Sequence, residues 1–214
     1  MAETAERVNA VIRGLRRSPA AHLAEDFAQG SVTGVHGVSI RELPFLTMIG
    51  VRVDPASDAG QRIGAVMGGL PAGCGQVGTG AGTDVQALWL GPQEFLVVGP
   101  EDAHDGGPAA LLGVLDDALA GDPGQVVDLS ANRTTFELAG PAARAVLEKS
   151  CALDLHPREF AAGTAVSTEI GLIPAVLWKV DAETFRVFPR ASFADFLGRW
   201  LLDGMQEFNA AEVP

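Results

Sequence analysis

The stretch Val85–Val98, VQALWLGPQEFLVV, decides the fold. Two strand-like runs, VQALWL and EFLVV, flank Gly91-Pro92-Gln93, and apolar runs broken by such a triplet read as a β-hairpin. Upstream, FLTMIGVRV (Phe45–Val53) reads as a strand. DPASDAGQRIGAVMGG follows as a helix, with Ser57 as N-cap, Ile63, Val66 and Met67 on one face, and Gly68-Gly69 to end it. Downstream, GPAALLGVLDDALAG reads as a helix with Pro108 near its start, Leu111, Leu115 and Leu119 in register, and Gly121 past its end. QVVDLS closes the unit as a strand.

The order β-α-β-β-α-β is that of the split βαβ, or ferredoxin-like, motif, in which helices cover one face of a mainly antiparallel sheet. The pattern then restarts. RTTFELAG reads as a strand and PAARAVLEKS as a helix opened by Pro141. TAVSTEIGL, PAVLWKV and TFRVFP are three further strands, broken by Gly171–Pro174 and Asp181–Glu183. A final helix carries Phe193, Phe196, Leu197, Trp200 and Leu201 at helical spacing, with Ser192 and Asp195 in the pattern of a capping box. The expectation is an α+β protein of two ferredoxin-like halves, residues 41–129 and 130–214. An N-terminal helical extension, residues 1–40, precedes them, with an amphipathic helix over 4–17 and a second helical piece around PAAHLAEDFA.

Composition narrows the function. The 214 residues are 47% apolar, ample for a core. No apolar run reaches the length of a membrane span, and acids and arginines stand where a signal peptide needs its apolar stretch, so a cytoplasmic protein is expected. The net charge of −12 repels a phosphate backbone and argues against nucleic acid. Cys74 and Cys151 lie in no metal-ligand spacing, and no metal site is expected.

The motifs that could carry chemistry are few. GCGQVG (Gly73–Gly78) matches G-x-G-x-x-G, but a helix precedes it and a strand follows, the reverse of a dinucleotide fingerprint. SCALDLHPREF (Ser150–Phe160) gathers Cys151, Asp154 and His156. A thiolate-imidazole pair is one reading. The other, favoured because cysteine hydrolases bring their histidine from a distant segment, is a helix-exit corner with Asp154 bonding nearby amides. Asp84, Asp128 and Glu137 read as isolated carboxylates. Asp84 stands between a glycine-rich loop and the hairpin, where a ligand could approach; the favoured reading is that it ends the loop, as Asp often does in turns. Trp89, Trp178 and Trp200 fall on apolar periodicities, as core or interface anchors do.

Four segments together, Arg41–Pro55, Ala87–Pro100, Val126–Pro157 and Thr184–Leu201, resemble the gamma subunit of heterotetrameric sarcosine oxidase. That family is similar in fold to the folate-binding aminomethyltransferase of the glycine cleavage system. The resemblance implies a complex with alpha, beta and delta subunits that demethylates sarcosine to glycine, forming hydrogen peroxide and methylenetetrahydrofolate. It implies that FAD, FMN, NAD, tetrahydrofolate and zinc belong to the partner subunits, with no catalytic residue and no cofactor in this chain. The transferases carry an aspartate pair where GTDVQALWLG keeps Asp84 and has Thr83 in the other place. The alternative expectation is a stand-alone folate-binding protein of one-carbon metabolism, using Asp84.

Overall fold

A computed structural model describes residues 14–79, 84–101 and 108–209. Among these, the strands are β1 (Ser39–Glu42), β2 (Thr47–Arg52), β3 (Val77–Thr79), β4 (Gln86–Gly91), β5 (Glu94–Gly99), β6 (Gln125–Asp128), β7 (Phe136–Ala139), β8 (Ala165–Ile170), β9 (Ile173–Lys179) and β10 (Thr184–Pro189). The α-helices are α1 (Ala24–Gly30), α2 (Asp58–Met67), α3 (Pro108–Leu119), α4 (Ala143–Glu148) and α5 (Ala194–Met205). The helix read over residues 4–17 falls almost wholly outside the described residues, as does Thr83.

The hairpin that opened the reading is β4–β5, closed by Pro92 and Gln93, with a bulge between Trp89 and Gly91. It lies in an antiparallel sheet of order β3-β4-β5-β2-β6. Without the short edge strand β3, β4-β5-β2-β6 is the ferredoxin-like arrangement of a β-α-β-β-α-β chain. Alternation within each strand divides its side chains between two faces. Ile49, Val51, Phe95 and Val97 meet Ile63 and Met67 of α2 and Leu111 and Leu115 of α3. Helix α2 starts where expected, since Ser57 Oγ accepts the Gly60 N–H at 3.1 Å, and it stops at Gly68, whose φ of 69° is left-handed.

The second sheet has the order β1-β7-β10-β9-β8, also antiparallel throughout. Position by position it repeats the first sheet, with β8 as the added edge strand and β1 in the place of β6. Strand β1 precedes the whole first half in the chain. Residues 39–42, which the sequence reading divides between the extension and the first half, therefore lie in the second sheet, paired with β7. The physical reason is that β7 follows β6 with no strand of its own half to cover its free edge, and Ile40, buried at 3% exposure, completes that side of the core. Helices α1, α4 and α5 cover the outer face over Phe136, Leu138, Leu177, Phe185 and Val187. Phe27 of α1 meets Phe136 edge-on, with ring centroids 5.7 Å apart.

The capping box does not form. A 3-10 turn over Ala191–Phe193 runs straight into α5, no side chain caps it, and Asp195 turns instead to His22 and Arg199.

The inner faces of the two sheets pack on each other. Met48, Leu88, Leu96 and Val98 from the first meet Ala165, Val176, Trp178 and Phe188 from the second. Each such large side chain, fully buried, contributes roughly 1.5–3 kcal/mol. The layers run helix, sheet, sheet, helix. No helix among the described residues is long and apolar enough to cross a membrane.

Candidate functional site

Where the sheets part at one end of this shared core, a cleft of about 440 Å³ is lined by Leu46, Asp84, Gln86, Val98, Trp178 and Arg186 among others. Its walls follow from strand alternation. Val98 and Gln86 face each other in register on β5 and β4, while Arg186 and Trp178 do so on β10 and β9. The Arg186 guanidinium lies 5.2 Å from the Trp178 ring centroid, within cation–π range. The Trp178 indole N–H is buried and has no hydrogen-bond partner among the described residues.

Behind Arg186 stands Glu137, only 8% exposed. Its carboxylate accepts from Arg41 Nε at 2.8 Å and from Arg186 Nε at 3.0 Å. The three residues form one row across β1, β7 and β10, because Arg41 and Arg186 are both in register with Glu137. Two cations share one buried anion, so the row carries a net positive charge beside the cleft. Sequence reading took Glu137 as an isolated carboxylate, and no spacing in the chain signals partners 96 and 49 residues away.

Asp84 is exposed at the cleft's rim. Among the described residues it is the one acid in the lining, against the aspartate pair of the folate transferases. Outside the lining, Asp181 is held below the usual carboxylate range first by the Glu183 N–H, and Asp195 first by its hydrogen bond to His22. Arg133, lowered first by burial and then by Arg190, is not in the lining either.

The other sequence candidates are not brought to the cleft. Asp154 Oδ1 accepts the His156 N–H at 2.9 Å, and His156 Nδ1 accepts the Arg158 N–H at 3.3 Å. Cys151 is buried, with its sulfur 3.9 Å from Thr168 Oγ1, and pairs as a β-bridge with Ile170. The imidazole and the Asp154 carboxylate are thus both engaged by backbone within their own turn. Asp128 Oδ1 accepts the Ser130 N–H at 2.9 Å, again a turn.

The glycine-rich motif serves packing. Gly75 forms a β-bridge with Ala165 of the second sheet, and a Cβ on Gly78 would lie 2.7 Å from the Gly69 carbonyl oxygen. Among the described residues no helix opens from it to present N–H groups to a pyrophosphate. Among the described residues no three His, Cys, Asp or Glu side chains are grouped to hold a metal ion.

Residues 50–207 match the sarcosine oxidase, gamma subunit family. The sarcosine oxidase subunit gamma of Corynebacterium sp. strain U-96 is 48% identical over 201 residues, 93% of this chain and 94% of that protein. Its counterpart from Arthrobacter sp. is 47% identical over 200 residues, with the same coverage of 93% and 94%. Among solved structures, a chain of heterotetrameric sarcosine oxidase from Corynebacterium sp. U-96, in complex with pyrrole 2-carboxylate, superposes with a TM-score of 0.87 at 47% identity, covering 94% of this chain and all of that one. Aminomethyltransferase T of the glycine cleavage system from Bartonella henselae has a TM-score of 0.63 at 16% identity, over 88% of this chain and 57% of that one. At that identity the likeness is one of fold.

Proposed function

The chain belongs to the sarcosine oxidase gamma subunit family, and from that premise we propose that it is the noncatalytic gamma subunit of a cytoplasmic sarcosine oxidase, an oxidoreductase complex. The observation that carries this is near-complete collinearity: 48% identity extends over 93% of this chain and 94% of the Corynebacterium subunit. Its partners are the alpha, beta and delta subunits. The flavins, NAD, tetrahydrofolate and zinc reside in those subunits, where sarcosine is oxidatively demethylated. This chain's contribution is shape, a rigid double-sheet body against which larger subunits are ordered.

The residues of the cleft support that division of labour. Among the described residues, a single rim acid and an arginine already committed to Glu137 do not fit a pterin site of the aspartate-pair kind. The stand-alone folate protein, read from the same fold, keeps only the 16% likeness to the transferase in its favour.

Co-expression tests the proposal. With all four subunits present, an active complex is expected to form. Leaving this chain out is expected to abolish assembly or reduce sarcosine oxidation by at least about tenfold, which corresponds to roughly 1.4 kcal/mol. A fully active complex assembled without it contradicts the proposal. So does saturable micromolar binding of tetrahydrofolate by the isolated chain in equilibrium dialysis, abolished by Asp84→Ala.

A further inference from the structure

Helix α5 is apolar on two sides. Leu197, Leu201 and Met205 point into the core, while Phe196 and Trp200 stay 48% and 44% exposed, with Phe193 at 37% one turn earlier. A soluble helix normally gives that outer face to polar residues. Phe196 and Trp200 stack on each other with centroids 5.8 Å apart and planes at 20°.

The turn between β8 and β9 adjoins this pair. A Cβ on Gly171 would lie 3.1 Å from Trp200 Nε1, so the turn rests against the indole. Both turn residues are left-handed, Gly171 at φ 59° and Leu172 at 67°, and Leu172 is 86% exposed. Two-residue hairpin turns of this hand favour Asn or Gly, and a left-handed L-residue costs roughly 1–2 kcal/mol. A leucine held there puts an apolar side chain into water at a backbone cost. On the same helix the exposed acid Asp203 lies one turn beyond Trp200, and the exposed Arg199 is paired with Asp195.

We propose that Phe193, Phe196, Trp200 and Leu172 form the docking surface for another subunit of sarcosine oxidase, one that offers an apolar groove. The inference rests on the gamma-subunit reading. Charge selects the occupant. A second copy of this chain would set acid against acid in a molecule of net charge −12, and an anionic lipid surface would be repelled. A chain of the same shape is part of a heterotetramer in the Corynebacterium enzyme.

The test uses the full chain titrated into a preparation of the other three subunits, with Phe196→Lys and Leu172→Gly as variants. Phe196→Lys is expected to weaken assembly by about tenfold or more, as loss of a central aromatic anchor does. Leu172→Gly is expected to weaken assembly while leaving the Tm of the isolated chain equal or higher, because glycine relieves the turn. Wild-type assembly with both apolar variants joining equally well overturns the surface but leaves the subunit reading standing. Failure of the wild-type chain to join any of the other subunits overturns both. Self-association of the wild-type chain that Phe196→Lys abolishes also overturns the surface.

Discussion

At Glu137 a carboxylate at 8% exposure holds two arginines from neighbouring strands. Its removal would leave the half-buried Arg186 without its counter-charge beside the cleft. Breaking a buried pair from one side costs about 3–5 kcal/mol; Arg41 is largely solvated, so Glu137→Gln is expected to lower stability by about 2–3 kcal/mol in urea denaturation. A change under about 0.5 kcal/mol, the size of a neutral surface substitution, contradicts this account of the row. Asp181 gives a pH-dependent case. Its carboxylate accepts the Glu183 and Thr184 N–H groups at 2.9 and 2.8 Å, and its folded pKa is lowered. A lowered folded value means that its stabilisation is complete above the unfolded value near about pH 4 and is lost as pH falls through the folded value. The Tm of Asp181→Asn is therefore expected to lie below wild type at neutral pH and to converge with it as pH falls toward about 2. A gap that stays constant with pH contradicts this. Asp181 and Asp154 were legible as turn residues because their work is local. Glu137 was not, because its partners become neighbours only once three strands are in register.

Element by element, local signals succeeded where the chain closes on itself within a few residues. Ser57 caps α2, Gly68 ends it, and Pro92-Gln93 closes the β4–β5 hairpin, each by contacts its own sequence specifies. They failed where a neighbour from far along the chain decides. Ser192 has the capping pattern, yet the N–H of Ala191 is bonded to Asn132 and the 3-10 turn supplies the entry to α5. SIRE of β1 is too short for its alternation to register, and its place is fixed by the edge of β7, about a hundred residues on. The glycine loop offers a test at this scale. Gly78→Ala would force a Cβ to 2.7 Å from the Gly69 oxygen and 3.2 Å from Pro71, and overpacking of this kind costs about 1–3 kcal/mol. Gly113→Ala, in α3 with nothing within 4 Å of its Cβ, is expected to gain roughly 0.5–1 kcal/mol instead. Equal effects at the two sites, measured by thermal or urea unfolding, contradict the packing reading of the motif.

Taken whole, the molecule is two similar halves laced together by crossings: β1 into the second sheet, the Gly75–Ala165 bridge, and the inter-sheet core of Met48, Leu96, Trp178 and Phe188. That lacing ties the halves into one body with a cleft beside the shared core and an exposed aromatic helix face, which suits a role in which shape matters more than reactivity. The central claim is that none of the chemistry-capable residues of this chain takes part in catalysis by the complex. The most direct measurement adds the chain carrying Asp84→Ala, Cys151→Ala and His156→Ala to the other three subunits and compares sarcosine oxidation, per assembled complex, with that of the wild-type chain. The account predicts rates within about twofold, less than 0.5 kcal/mol of barrier. A loss of tenfold or more with assembly intact would contradict it.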